Sequence, residues 1–316
     1  MKLGCFSIDG ARTIAVSFEG QWVSLHHLPV EPPLAQDMIA LLDRWRGIQP
    51  AVATALQQGQ GQALPENAEP CLPFSPASLR DFMLSETHAV NAARGMVRRF
   101  MPGVAPITGV FEKITGKAFP AFKPKPIWYR QPVYYFSNHL NVVTDGATIN
   151  WPDYTKALDY EIELAFVITK PLYNTTTEEA LGAVGGFLIL NDFSARDCQL
   201  EEMRSGFGPQ KSKHFINAVS HTVATADEIL PQVNQLKGEV RINGKQACAT
   251  TTAGMQHTIA DVLVHVSKSE RLHPGELFGL GTLPGGCGLE NGHWLQKGDQ
   301  IELIIEKVGS LRNTIT

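Results

Sequence analysis

Two glutamates one residue apart open the chemistry of this sequence, in Asp159-Tyr160-Glu161-Ile162-Glu163-Leu164-Ala165-Phe166-Val167-Ile168. The stretch is β-branched and aromatic and is bounded by Pro152 and Pro171, so it reads as a strand. Alternation puts Glu161 and Glu163 on one face, about 7 Å apart, with Ala165 and Val167 continuing that face. The other face is Ile162, Leu164, Phe166 and Ile168. A strand apolar on both faces is normally buried on both. Two carboxylates entering it are then protonated, paired with bases or bound to a cation, because isolated buried charges are too costly. The alternative is that the first half of the strand protrudes and both glutamates are solvated.

Other candidates are scattered. The apolar run 186–190 ends in Asn191-Asp192-Phe193-Ser194-Ala195-Arg196-Asp197-Cys198-Gln199, where Arg196 and Gln199 follow Asp192 by four and seven residues. An acid at the mouth of a buried strand with such partners suits an anion- or metal-binding corner, although Asn-Asp after a strand also makes an ordinary turn. Asp81 stands just before a helical pattern and His88 near its start; a lone histidine is more often structural than catalytic. The turn 206–213 carries Gly206, Gly208, Lys211 and Lys213 but lacks P-loop spacing. The glycine-dense run 279–288 leads to Glu290 and then to a strand, so it is not a dinucleotide loop. It reads as a loop that lets backbone approach a ligand.

The elements that must hold these residues are mostly β. Runs 3–8, 12–18 and 21–25 form a meander turned by Asp9-Gly10 and Glu19-Gly20. Helical spacing covers 34–47, and a second helix 50–57. The Gln/Gly/Pro-rich stretch 57–76 suggests a linker, which divides the chain into a small N-terminal β/α domain, 1–75, and a larger domain, 76–316. A helix spans 85–100, and a Pro/Gly-broken connection spans 102–130. Strands follow near 132–136, 140–143, 160–168, 186–190, 216–224, 237–243, 246–251 and 300–308, with helices at 176–184 and 258–267. This pattern is α+β and β-rich rather than doubly wound.

Composition narrows the function classes. The chain has 316 residues, 43% hydrophobic and 18% charged, which is ample for a full core. A net charge of −4 argues against nucleic-acid and anionic-membrane binding. No run approaches the ~18 apolar residues of a membrane span. Asp9 arrives too early for a signal-peptide apolar region, so a cytoplasmic protein is expected. The five cysteines, Cys5, Cys71, Cys198, Cys248 and Cys287, are odd in number and include no CxxC pair. They read as reduced thiols, with Cys198 and Cys287, near the motifs above, as small buried hydrophobes.

Taken in order, four segments resemble the fumarylacetoacetate hydrolase family: Asp159 to Ala165, Asn191 to Asp197, Gly208-Pro209 leading to Lys213, and Gly281-Thr282. The resemblance runs from about residue 78 to the end. It implies a mixed β-sandwich roll, usually assembled as a homodimer. It implies a metal site formed by Asp81, Glu161, Glu163 and Asp192, and a dyad in which His88 activates water and Glu290 orients it. Lys213 would be catalytic at the oxyanion. Arg196, Gln199, Tyr135, Thr282 and Met83 would fall on substrate-binding positions. Met83 stands where the authentic hydrolase has a tyrosine, and Glu86 where an arginine precedes the histidine.

An all-oxygen ligand set suits Mg²⁺, with Mn²⁺ or Ca²⁺ as alternatives. The resemblance therefore implies a metal-dependent hydrolase of a carbon–carbon bond in a β-diketo acid, taking a small anionic oxo acid from the catabolism of aromatic or related compounds. Its alternative is a decarboxylase, isomerase, hydratase or sugar-acid dehydratase of the same family, acting through an enolate.

Overall fold

The computed structural model describes residues 1–316. Its main sheet has twelve strands, nine of which run edge to edge as Gln21–Ser24, Ala11–Phe18, Lys2–Ile8, Thr222–Thr225, Val184–Asn191, Glu161–Ile168, Glu276–Cys287, Ser78–Phe82 and Tyr134–Ser137. Every residue of Glu161–Ile168 is buried, so the strand does not protrude and its glutamates are not solvated. Antiparallel neighbours cover both of its edges, with Ile162 opposite Asn191 and Glu163 opposite both Leu190 and Thr282.

A second, five-stranded sheet runs Lys245–Thr251, Lys237–Ile242, Gln300–Ile305, Gly309–Ile315 and Thr148–Ile149. Its inward residues Val240, Leu303 and Leu311 share one core with Ile162, Leu164 and Phe166 of the site strand. Each such buried aliphatic or aromatic side chain contributes about 1.5–3 kcal/mol, which is what holds a strand bearing buried acids in place. The architecture is the β-rich α+β roll expected from the sequence.

The N-terminal meander does form, and its turns take positive φ at Asp9 and Gly10 (51° and 82°) and at Glu19 and Gly20 (48° and 80°), as two-residue hairpin turns require. It is continuous with the rest of the molecule. Lys2–Gly4 pairs with Thr222–Ala224, and Leu41 and Trp45 pack in one core with Val167, Leu188 and Leu190. Neither the sheet nor this core breaks at residue 75.

Several elements differ from expectation, among them strands Ser78–Phe82 and Gly309–Ile315, which form where no strand is expected. Residues 38–57 form one helix rather than two, with Pro50 inside it; Leu41, Leu42, Trp45, Val52 and Leu56 are all buried along it, and that tertiary packing outweighs the missing N–H of a proline. The connection 102–130 holds helices Ala105–Thr115 and Pro126–Arg130, each with a proline in its first two positions, where proline favours a helix start. The glycine-dense run is strand Glu276–Cys287, not a loop. No helix is long and apolar enough to cross a membrane.

Candidate active site

Three strands deliver the acids: Ser78–Phe82 carries Asp81, Glu161–Ile168 carries Glu163 and Val184–Asn191 leads to Asp192, with Glu276–Cys287 running between the first two. Gly279 pairs with Asp81 of the parallel strand on one side and with Ala165 of the antiparallel strand on the other. Asp192 follows the end of Val184–Asn191, its N–H donating to the Glu161 carbonyl at 3.2 Å. Carboxylate oxygens of Asp81, Glu163 and Asp192 thereby converge within 4.8 Å of one another, all three residues buried. An added Cβ on Gly279 would sit 2.7 Å from Asp81 Oδ1 and 2.8 Å from Glu163 Oε2, so this glycine keeps the space between the acids open.

Glu163 is held from behind by the Gly281 N–H at 3.2 Å and the Thr282 hydroxyl at 3.5 Å. Burial pushes the Glu163 carboxyl well above the usual range, and the neighbouring charges of Asp81 and Asp192 push it further. Burial likewise raises Asp192 and Asp81, with the Lys213 charge working against it in both. Asp81 Oδ1 and Asp192 Oδ1 have no hydrogen-bond partner although both are buried. Orphaned oxygens, mutual repulsion and an all-oxygen donor set fit a hard divalent cation.

The fourth expected ligand, Glu161, is drawn aside by two cations. Its Oε1 accepts from Arg196 Nη2 at 2.6 Å and its Oε2 from Lys213 Nζ at 2.6 Å. Burial opposes ionisation of Glu161, but Arg196 and Lys213 more than offset it and hold the carboxyl well below its usual value. Lys213 also donates to Asp192 Oδ2. Its ammonium lies between the two carboxylates that the strand ends bring together.

Arg196, expected at a substrate-binding position, is tied to three side chains of the protein. Its Nε donates to Asp159 at 2.8 Å, its Nη2 to Glu161, and its Nη1 to Gln199 Oε1 at 2.9 Å, with the residue 2% exposed. A guanidinium so committed positions Glu161 and Gln199. Gln199 keeps its amide N–H groups free. The Tyr135 hydroxyl, also expected at substrate, lies 2.8 Å from Asp192 Oδ2 and 3.1 Å from Asp81 Oδ2. Met83 is 39% exposed and sits beside Gly281, its carbonyl accepting from Trp128 Nε1 at 2.5 Å.

The second half of the site is a histidine–glutamate pair. Ser85 caps helix Glu86–Phe100 by accepting from the His88 N–H, which fixes the turn that carries the imidazole. His88 Nδ1 lies 2.6 Å from Glu290 Oε1, and the Gly285 N–H donates to Glu290 Oε2 at 3.0 Å. Cys287, three residues before Glu290, pairs with Glu161 across the sheet, so the pair borders the acid cluster. The helix comes close enough because Gly95 has no side chain; a Cβ there would lie 1.9 Å from the Leu289 carbonyl oxygen.

Two further residues hold the parts together. Asp159, fully buried, accepts from Arg196 Nε and from the N–H groups of Gly288 and Leu289 at 2.8 and 3.0 Å. It therefore joins the Glu161 clamp to the turn that bears Glu290. Its signal was in the sequence, since Asp159, Glu161 and Glu163 alternate on one face. Glu202 accepts from the backbone of Gln210 at 2.7 Å, Lys211 at 2.8 Å and Ser212 at 3.2 Å, fixing the segment that ends in Lys213. No pattern at single-residue spacing pointed to Glu202.

Residues 113–316 match the family model for the fumarylacetoacetate (FAA) hydrolase C-terminal domain, a span that leaves Asp81 and His88 outside. An uncharacterized protein of Pyrococcus abyssi is 28% identical over 185 residues, 58% of this chain and 80% of that protein. A fumarylacetoacetate hydrolase domain-containing protein 2 homolog of Dictyostelium discoideum is 30% identical over 198 residues, 59% of this chain and 64%, less than two thirds, of its own length.

Solved structures align over the whole chain at lower identity and show the same fold. A fumarylacetoacetate hydrolase from Exiguobacterium antarcticum gives a TM-score of 0.71 at 24% identity, covering 100% of this chain and 99% of that one. A probable 2-hydroxyhepta-2,4-diene-1,7-dioate isomerase from Mycobacterium abscessus gives 0.68 at 21%, covering 100% and 98%. Maleylpyruvate hydrolase from Sphingobium sp. SYK-6, in complex with manganese(II) and pyruvate, gives 0.67 at 16%, covering 100% and 99%.

Proposed function

The chain belongs to the fumarylacetoacetate hydrolase family, and from that premise we propose that it is a divalent-metal-dependent hydrolase cleaving a carbon–carbon bond in a fumarylacetoacetate- or acylpyruvate-like β-diketo acid. The observation that carries this reading is the His88–Glu290 contact of 2.6 Å beside the buried acid cluster. Such a pair, a base with its orienting carboxylate, is what activation of water requires.

Asp81, Glu163 and Asp192 would hold the cation, with Glu161 beside them carrying a fourth negative charge. Mg²⁺ is the proposed ion, with Mn²⁺ as in the Sphingobium complex as the alternative. Held there, a cation would supply Lewis-acid polarisation of a substrate carbonyl. Glu290 accepts a hydrogen bond from His88 Nδ1, which leaves Nε2 with the lone pair. Nε2 takes a proton from water, and the hydroxide attacks the carbonyl carbon. The carbon–carbon bond breaks with its electron pair moving onto the departing keto-acid fragment as an enolate. The Lys213 ammonium and the Gln199 amide stabilise the negative charge that develops. The His88 imidazolium returns its proton to the departing fragment, so two acids form from one acid and water.

A second reading keeps the residues and drops the water. The buried Lys213 ammonium, tied to Glu161 and Asp192, supports any enolate, so decarboxylation or isomerisation fits it equally. One experiment separates the two readings: turnover of acylpyruvates and longer β-diketo acids with Mg²⁺ or Mn²⁺ and with chelator, with product identification. Two acids from one support hydrolysis. Carbon dioxide, or a shifted double bond without cleavage, supports the second reading.

A further inference from the structure

Far from one another in sequence, Cys5 and Cys71 meet in space. The short strand Glu69–Pro70 pairs antiparallel with Lys2–Ile8, Phe6 opposite Pro70 and Ser7 opposite Glu69. The next step of that register sets Cys5 opposite Cys71, and the Cys71 N–H donates to the Cys5 carbonyl at 3.0 Å. The two Sγ atoms lie 3.1 Å apart, and both thiols are free. Directly opposed residues of an antiparallel pair have the Cα separation that a disulfide spans.

We propose that Cys5 and Cys71 are a peroxide-oxidisable thiol pair that closes reversibly into a disulfide, tying the first strand to the segment that enters the Asp81 strand. The pair lies outside the active site, and its chemistry is independent of the reaction proposed above.

The surroundings assign different roles to the two sulfurs. Cys5 is fully buried, while Cys71 is half-buried, the more exposed residue of the two. Arg12 sits beside both: its Nη2 donates to the Pro73 carbonyl, while its Nε is buried with no hydrogen-bond partner. His221, held by Asp145 at 2.8 Å, lies near Cys71. The bond from Cys5 brings the Cys71 thiol down to about 7 against the cost of burial, and Arg12 and His221 help. The same bond and burial push Cys5 far up. Burial raises Cys198, Cys248 and Cys287 as well, so Cys71 is the one thiol of the five held below its ordinary value.

The chemistry balances in two steps. The Cys71 thiolate attacks one oxygen of hydrogen peroxide; an S–O bond forms, the O–O bond breaks, and hydroxide leaves and takes a proton as water. Cys5 sulfur then attacks Cys71 sulfur; the S–S bond forms, the S–O bond breaks, and the Cys5 proton leaves with the hydroxide as a second water. Both sulfurs are oxidised together by two electrons, and a dithiol reverses the change. The bridge closes the chain from residue 5 to residue 71, ten residues before Asp81, and constrains the unfolded state, so the oxidised protein melts higher.

The test treats the full chain, loaded with Mn²⁺, with hydrogen peroxide and counts thiols under denaturing conditions. We expect a fall from five free thiols to three, a single cross-linked peptide joining Cys5 to Cys71 in a non-reducing digest, a raised Tm, and full reversal by dithiothreitol. In Cys5→Ala the Cys71 sulfenic acid persists and is trapped by dimedone, with no cross-link. If that core variant does not fold, Cys71→Ser takes its place, and its Cys5 resists peroxide. Sulfinic acid on Cys71 with Cys5 still free overturns the proposal. So does a bridge between two molecules, or earlier loss of Cys198 or Cys248.

Discussion

His88 Nδ1 and Glu290 Oε1 stand 2.6 Å apart, side chains 6% and 2% exposed, joined across 202 residues of chain. The contact exists because a capped helix and a glycine-made approach bring two remote turns together. Glu290→Gln keeps the shape of this contact and removes the charge that steadies the imidazole. Turnover should fall by about 10²- to 10⁴-fold, with Tm and Mn²⁺ affinity unchanged, since Glu290 is not in the acid cluster. Full turnover in the metal-loaded variant would sink the water-activation reading.

The acid cluster makes a prediction about pH. Burial raises the carboxyls of Asp81, Glu163 and Asp192 above their usual range. In the metal-free protein their contribution to stability is therefore fully present below the unfolded carboxyl pKa, near ~4, and is lost as pH rises through the folded values. A cation requires the ionised forms and replaces those protons. The rise in Tm on adding Mg²⁺ or Mn²⁺ should thus be larger at pH 8 than at pH 5. Calorimetry in two buffers of different ionisation enthalpy should show proton release. A metal-induced rise independent of pH would show that these carboxyls are already ionised.

Lys213 sets a different expectation. Its ammonium bonds Glu161 and Asp192, both buried. Lys213→Met removes a positive charge from beside the cluster, so Mn²⁺ affinity should hold or rise while turnover falls by about 10²- to 10³-fold. Without the cation present, the unpaired carboxylates should cost about 3–5 kcal/mol of stability, read as a lower urea midpoint that Mn²⁺ restores. Equal loss of metal binding and turnover would place Lys213 among the groups that build the metal site instead.

Glu202 adds an acid-side test. Burial favours its protonated form, but the bonds from Ser212, Gln210 and Lys211 hold its carboxyl below the usual range. Its contribution to stability is present above the unfolded pKa and lost as pH falls through the lowered folded value. Glu202→Gln should speed amide hydrogen exchange at 210–212 near neutral pH, while the wild type loses that protection only in acid. Unchanged exchange in the variant would mean that other contacts hold the segment.

Much of this site was legible in the sequence, for a physical reason. Glu161, Glu163 and Asp192 sit in or beside buried β runs, where period-two alternation fixes which way a side chain points, and a buried acid stands out against its apolar neighbours. His88 and Glu290 do not stand out as single residues; only the family resemblance links them, through the seven residues from Asp81 to His88 and the Gly288-Leu289-Glu290 stretch. For Arg196 a sequence shows a charge and not what neighbours it, and here Asp159, Glu161 and Gln199 do so. Pairings distant in sequence were invisible for the same reason. Cys5 meets Cys71 through strand register, and the N-terminal meander joins the main sheet through Lys2–Gly4 and Thr222–Ala224. The glycine-dense run read as a loop because glycine is a weak strand former, yet two neighbouring acids need the room that it leaves.

That room is the most direct test of the metal site. Gly279→Ala places a methyl group 2.7 Å from Asp81 Oδ1 and 2.8 Å from Glu163 Oε2, closer than carbon and oxygen can sit. The acids must move apart, and the surrounding sheet resists because Gly279 is paired on both sides. Mn²⁺ affinity should fall by at least about 10- to 100-fold, the loss typical of disturbed support around metal ligands. Gly109→Ala is the control: it lies in helix Ala105–Thr115 with nothing within 4 Å of the added Cβ. It should stabilise the protein by about 0.5–1 kcal/mol, with Mn²⁺ binding unchanged. If Gly279→Ala binds Mn²⁺ as the wild type does, the cation is not held between Asp81 and Glu163, and the assignment of this cluster as the metal centre fails.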